Sequence, residues 1–346
     1  MSGTTPLVIE HPHPNPAWLA RLTEDILEPN LPIIDPHHHL WDRSGSRYYL
    51  DELLADTGSG HNVVATVFLQ CFWAYRTTGP EELRPVGETE FVASVAEEAE
   101  RRKSRVRACA AIIGYADLRL GDRVDAVLEA HLAAGGGRFR GIRLGAARHP
   151  DLAASITTPP PLGLMGEASF RAGFARLAKH GLSFDAWQYH TQLGELLDLV
   201  RQFPDIPVVI NHVGGPLGVG PFRGKRDEVF AAWRDSMRQL AGCPNVSVKL
   251  GGLAMVINGF DFHQQVLPPS SGELVQAWRP WMAECIEAFG ASRCMFESNF
   301  PVDKAMCSYP VLWNAFKRIA AGASDDERRA LFHDTAARFY RIEGAR

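Results

Sequence analysis

Short apolar runs rich in β-branched residues recur along the chain, each followed by a loop and then a stretch of helical period. The runs at 33–37, 63–70, 106–112, 139–144, 182–187, 206–211, 246–250 and 293–298 read as strands. Stretches at 88–103, 122–134, 167–180, 192–202, 225–241 and 274–289 repeat apolar residues at helical spacing, and two more follow the last strand. Eight strand-then-helix alternations in 346 residues predict an α/β fold, a closed parallel (β/α)8 barrel forming one domain over residues 32–346. Residues 1–31, rich in Pro and His, are expected to be an N-terminal extension, with its amphipathic 17–27 segment lying across the outside of the first strand. His11 and His13, alternating with prolines, read as extended surface residues.

The connections mark one face of that barrel. Those entering strands are short, as at Gly181 and Pro204-Asp205, whereas 71–87, 145–166, 212–224 and 251–272 are long and carry Phe72, Trp73, Tyr75, Met165, Met255, Phe260 and Phe262. Apolar loops at strand carboxyl ends are what a barrel enzyme uses to wall its pocket, although each aromatic taken singly fits ordinary loop packing equally well. Polar residues end the strands where a barrel core would show Val, Ile and Leu: Arg143 on the fourth, Asp185 and Trp187 on one face of the fifth, His212 after the sixth, Lys249 on the seventh and Asn299 after the eighth.

The first strand ends in His37-His38-His39 between Asp35 and Asp42. Side chains alternate along a strand, so His37 and His39 share a face and His38 points away. Two imidazoles on one rigid element make half a metal site; a surface histidine cluster is the bland alternative, and the buried-type strand before it favours the metal. His212 follows a fully apolar strand and precedes a glycine turn that lets backbone approach closely, which makes it the third ligand. His190, just past the fifth strand, reads as a fourth ligand or a proton donor.

Read with 295–304, Met-Phe-Glu-Ser-Asn-Phe-Pro-Val-Asp-Lys, this constellation resembles the amidohydrolase superfamily, and more closely its branch of metal-dependent TIM-barrel hydrolases that includes sugar lactonases and the pyrone-dicarboxylate lactonase. Gly141-Ile142-Arg143, Asn211-His212-Val213-Gly214 and Ser298-Asn299-Phe300-Pro301 carry the likeness together with His37 and His39. The resemblance implies an activated water attacking a carbonyl carbon. It also implies one divalent metal at most, zinc or manganese, because Arg143 stands where two-metal members carry a modified lysine; some lactonases of this branch are thought to need none. Where the family commonly has a catalytic Asp, this chain has Asn299, and an amide is no general base. Asp303, four residues on, is the favoured substitute base, with Glu297 as metal ligand or as a partner behind the ligands.

Charge then narrows the substrate. The chain is net acidic, formally -4, with no sequence-wide field to draw in nucleic acid or an anionic membrane, and its basic 101–107 run closes a predicted helix. Arg143, Lys249, Arg76, Arg84 and Arg148 nevertheless fall on the strand-end face. A small anionic substrate follows, such as a carboxylated lactone or ring-cleavage acid, with Trp187 and Tyr75 walling it. The competing readings are a metal-dependent decarboxylase or related lyase and a catalytically silent ligand-binding barrel. No Gly-x-Ser-x-Gly elbow, His-Glu-x-x-His or phosphate loop is present. Six cysteines without a Cys-x-x-Cys pair, and no apolar leader or membrane-length run, predict a soluble cytoplasmic protein; a homodimer is permitted but not argued for.

Overall fold

The computed structural model describes residues 7–154 and 159–344. Eight parallel strands form one sheet in chain order: Pro32–His38, Asn62–Leu69, Arg107–Gly114, Phe139–Ile142, Ser183–Ala186, Val208–Ile210, Val246–Leu250 and Cys294–Phe296. The ring closes between the first and eighth, where Asn299 N donates to His37 O at 2.9 Å and His39 N to Phe300 O at 2.8 Å. The fold is a TIM barrel. Helices Val86–Arg101, Val124–Ala134, Ala168–Lys179, Leu193–Gln202, Arg226–Ala241 and Ser271–Phe289 cover its outside, followed by Tyr309–Ile319 and shorter segments. The Ser271–Phe289 helix starts at a capping box, in which Ser270 and Glu273 satisfy each other's backbone amides.

Two stretches differ from the sequence-based expectation. Between the first and second strands the chain forms a hairpin, Trp41–Arg43 with Ser46–Tyr48, and the helix Leu50–Thr57. Among the described residues of the extension, only Pro16–Leu19 is helical, and the segment does not simply cross the first strand. Trp18 Nε1 donates to Gln265 O at 3.1 Å, beyond the seventh strand, and Leu27 N to Asn314 Oδ1 at 2.9 Å on the Tyr309–Ile319 helix.

The barrel axis is polar. Lys249, fully buried, ion-pairs with Asp185 at 2.7 Å and donates to Pro36 O at 2.8 Å. Asp185 also accepts from Tyr340 Oη at 2.9 Å and Asn211 Nδ2 at 3.1 Å. Tyr340 comes from beyond the last helix, so the chain's own end plugs the barrel below the strand-end face. Two buried charges are tolerable only because each meets the other and further polar partners. Asp35, also buried, accepts from Ser298 N and Tyr309 Oη, both at 3.0 Å, tying the first strand to the eighth. No helix among the described residues is long and apolar enough to cross a membrane, and all six cysteines are buried and unpaired.

Lys249→Met would leave Asp185 buried without its counter-charge. The variant should lose about 3–5 kcal/mol of stability, read as the shift of the urea unfolding midpoint; a loss under about 1 kcal/mol would mean that water or a proton already neutralises Asp185.

Candidate active site

Ile33 and Ile34 bury the first strand, and its register against the second shifts between Asp35 and His38, a bulge just where the histidines begin. His37 turns inward. His38 points the other way, with Nε2 2.9 Å from Thr66 Oγ1 in the barrel wall. His39 Nδ1 lies 2.8 Å from Leu69 O; a carbonyl only accepts, so this nitrogen carries the proton and Nε2 keeps its lone pair. Its ring stacks on Trp41 and meets His37 edge-on at 5.0 Å.

His212 arrives from the sixth strand with its ring 4.5 Å from that of His37. Glu297, at the end of the eighth, holds both. Its Oε1 accepts from His212 N at 3.0 Å and lies 2.7 Å from His212 Nδ1. Its Oε2 sits 2.6 Å from His37 Nδ1 and, though buried, has no hydrogen-bond partner. A ligand atom from each of His37, His212 and Glu297 lies within 4.8 Å of the others. Two imidazole nitrogens and a carboxylate oxygen are a donor set for zinc or manganese, and the buried, unpartnered Oε2 is free to serve in it. His37, His212 and Glu297 therefore fit a divalent metal; His39 stands beside this group and outside it. Burial, then the charges of Lys249, His212, His39 and Arg143, push His37 well below its ordinary pKa; burial does the same to His39 and lowers His212 against the opposing charge of Glu297. The rings are neutral, the form a metal binds.

The backbone makes room for this. A Cβ on Gly252, whose φ is +68°, would lie 2.3 Å from His212 Nδ1, and one on Gly251 2.5 Å from Glu297 Cγ. His212 and Asn299, both at φ 54°, hold left-handed conformations that non-glycine residues seldom adopt, and strain of this kind persists where surroundings over-determine it.

Arg143 Nη1 donates to His37 Nε2 at 3.2 Å and Nη2 to Gln70 O, leaving Nε buried and unpartnered. Trp187 packs edge-on against His212 at 4.8 Å, and Tyr75 brings a buried, unpartnered hydroxyl near Glu88 and Arg143. Asn299 Nδ2 donates to Asp303 Oδ1 at 2.8 Å, which turns its carbonyl oxygen away from Asp303. Asp303 is wholly buried, also accepts from Ala254 N at 3.3 Å, and is pushed well above the usual carboxylate range by burial, with the charge of Glu297 adding to it.

Three expectations are corrected here. His39, expected as a metal ligand, stands outside the group of His37, His212 and Glu297. Lys249 is spent beneath His37, 3.4 Å from its Nδ1, and does not face the mouth. Arg76 pairs with Glu90 on the neighbouring helix at the surface. His190, also outside the metal group, accepts at Nδ1 from Leu217 N at 3.2 Å, which leaves its Nε2 to carry the proton. Two residues had no notice from sequence. Glu88 accepts from Cys71 N at 2.9 Å and Trp73 N at 2.8 Å, fixing the loop that carries Tyr75, and burial raises its pKa to about 7. In the sequence it reads as an ordinary first-turn acid. Gln188, two residues past the fifth strand, has both amide atoms buried without partners; its position one step past the predicted 182–187 run was the available signal.

Fold and site together define a barrel enzyme of the amidohydrolase type. The chain belongs to the amidohydrolase family, whose model matches residues 34–342. An uncharacterized protein of Sinorhizobium fredii, y4mH, is 36% identical over 90% of this chain and 99% of its own. The L-fucono-1,5-lactonase of Burkholderia multivorans is 26% identical over 89% of this chain and 96% of its own. Among solved structures, an amidohydrolase from Burkholderia multivorans with bound zinc shares the fold at a TM-score of 0.68 and 24% identity, over 89% of this chain and 99% of that one.

Glu297→Gln should cut the metal found by elemental mass spectrometry of untagged protein from about one ion per chain to under a tenth of that; unchanged content would remove Glu297 from the ligand set. Asp303 gives a pH test. Between a carboxyl's ordinary pKa and a raised native value, the unfolded chain has released a proton that the fold keeps, so stability falls as pH rises. The urea midpoint of Asp303→Asn relative to the parent should therefore climb as pH rises above the ordinary carboxyl range, and a relative midpoint that drops would show an ionised carboxylate in the fold.

Proposed function

We propose that this enzyme is a metal-assisted hydrolase opening the ring ester of a small carboxylated lactone. The observation that carries this reading is the meeting of His37, His212 and Glu297 within ligand distance of one another, beside Arg143, at the strand carboxyl ends. A zinc or manganese ion held there supplies a polarised carbonyl and a water of lowered pKa.

The chain's own groups do the rest. His39, its proton fixed on the Leu69 side, offers a lone pair to an attacking water. Asn299, held by Asp303, orients that water through its carbonyl oxygen and takes no proton. Asp303 acts as a neutral positioning group, since its burial opposes the role of base. Arg143, with an unpartnered N–H, takes the substrate carboxylate, while Trp187 and Tyr75 wall the ring. Lactonase relatives at low identity support the ester chemistry. An anionic small molecule as partner, rather than nucleic acid or membrane, fits the formal charge of -4 with a cation at the site.

A screen of carboxylated lactones beside neutral sugar lactones, with acid release and carbon dioxide release followed together, tests the reading. Ring opening without carbon dioxide is expected, and carbon dioxide from an aromatic acid would replace the hydrolase with a lyase. Arg143→Lys should lower kcat/KM on the carboxylated lactone by roughly 10- to 100-fold, the loss of a charge-assisted contact, and lower it less on a neutral one, which feels only the altered contact to His37.

A further inference from the structure

The N-terminal segment crosses the mouth of the barrel. Leu7–Ile9 pairs in parallel with Leu152–Ala154, in the long connection leaving the fourth strand, and Leu7 N donates to Asp151 O at 2.9 Å. Ile9, buried, packs with Leu152, Tyr189, Leu217, Val219 and Met255 from the connections after the fourth to seventh strands. Four residues later the chain has reached the hairpin after the first strand, where His13 Nε2 lies 3.9 Å from the place of a Cβ on Gly45. Residues 9–13 thus span from one side of the strand-end face to another. Their sequence, Ile-Glu-His-Pro-His, followed by Pro-Asn-Pro, suits a stiff strap, because each proline fixes its own φ and forces the residue before it to be extended.

His11 stands in the middle of the strap. Side chains alternate along an extended chain, so His11 turns to the same side as Ile9, buried against the mouth connections, and His13, set against Gly45, while His11 itself stays open to solvent. An imidazole keeps at least one N–H donor in either protonation state. Beneath it, Arg143 already supplies positive charge, so the ring adds direction rather than attraction.

We propose that His11 is a specificity-determining residue of this site, donating a hydrogen bond from the roof to an oxygen of the carboxylated substrate while the reacting carbonyl lies at the His37–His212–Glu297 cluster. The inference rests on the anionic-substrate reading above. Leu7–Ile9 and the extended His-Pro pairs set the height of the ring, so the distance between the reacting group and the second oxygen is what His11 selects.

The test uses the full chain and two readouts. Citrate, a small polycarboxylate, is titrated calorimetrically into the parent, His11→Ala and His11→Gln; the same proteins are assayed on whichever lactone the parent opens. His11→Ala should weaken citrate about 5- to 10-fold and raise KM by a similar factor, with kcat the smaller effect, and His11→Gln, which keeps an N–H donor, should recover most of the loss. Equal citrate affinity and KM in parent and His11→Ala, or a parent that takes up no citrate, would overturn the role. The two readings separate: His11-dependent citrate binding in a protein that opens no lactone fells the hydrolase alone, and lactone opening indifferent to His11 fells the roof contact alone. Matching thermal midpoints for the three proteins exclude misfolding as the cause.

Discussion

The carboxylate of Glu297, shared between His37 and His212, is the contact on which the site depends. A buried carboxylate would be costly unless positive or proton-donating groups surround it. Here it meets two imidazoles and a backbone N–H, and the floor beneath carries the Lys249–Asp185 pair. The arrangement works in both directions. Burial first, and then Lys249 and Arg143, disfavour a proton on His37, so the ring stays neutral, while Asp185 and Tyr340 keep Lys249 in place. The charges of the polar axis thus add to burial in keeping the ring above them neutral.

The fold was legible because a central parallel strand has few alternatives. A run such as 246–250, apolar and β-branched between a helix and a glycine pair, suits a strand buried on both faces, and the strand there is Val246–Leu250. The three-residue strands Trp41–Arg43 and Ser46–Tyr48 are too short for any period to emerge, and Asp42 to Gly45 reads as a plain turn. The extension was opaque for a different reason. Its local pattern specifies an extended chain, but where that chain docks is decided by a surface made from four separate connections.

Within the site, the histidines could be read because polar residues at the ends of apolar strands stand out against their context. Glu297 and Asn299 could not be separated by strand parity alone. A left-handed residue breaks the alternation that parity assumes, and Asn299, at φ 54°, is turned to Asp303 instead of stacking over Glu297. Loop arginines were least legible, since the backbone path that carries Arg76 to Glu90 is set by Glu88 holding the preceding loop, a long-range contact with no sequence period.

The departure at Asn299 also bears on what the mouth can accept. An aspartate there would set a second full negative charge beside Glu297. The amide does not, and Asp303, raised by burial, keeps its proton and adds none. On the eighth-strand side the cluster thus has Glu297 without a second acid beside it, facing Arg143. That balance repels an incoming carboxylate less than the common family pattern would, at the expense of a built-in base. The amide at position 299 would thus favour the carboxylated substrate proposed above while removing the strand-eight acid.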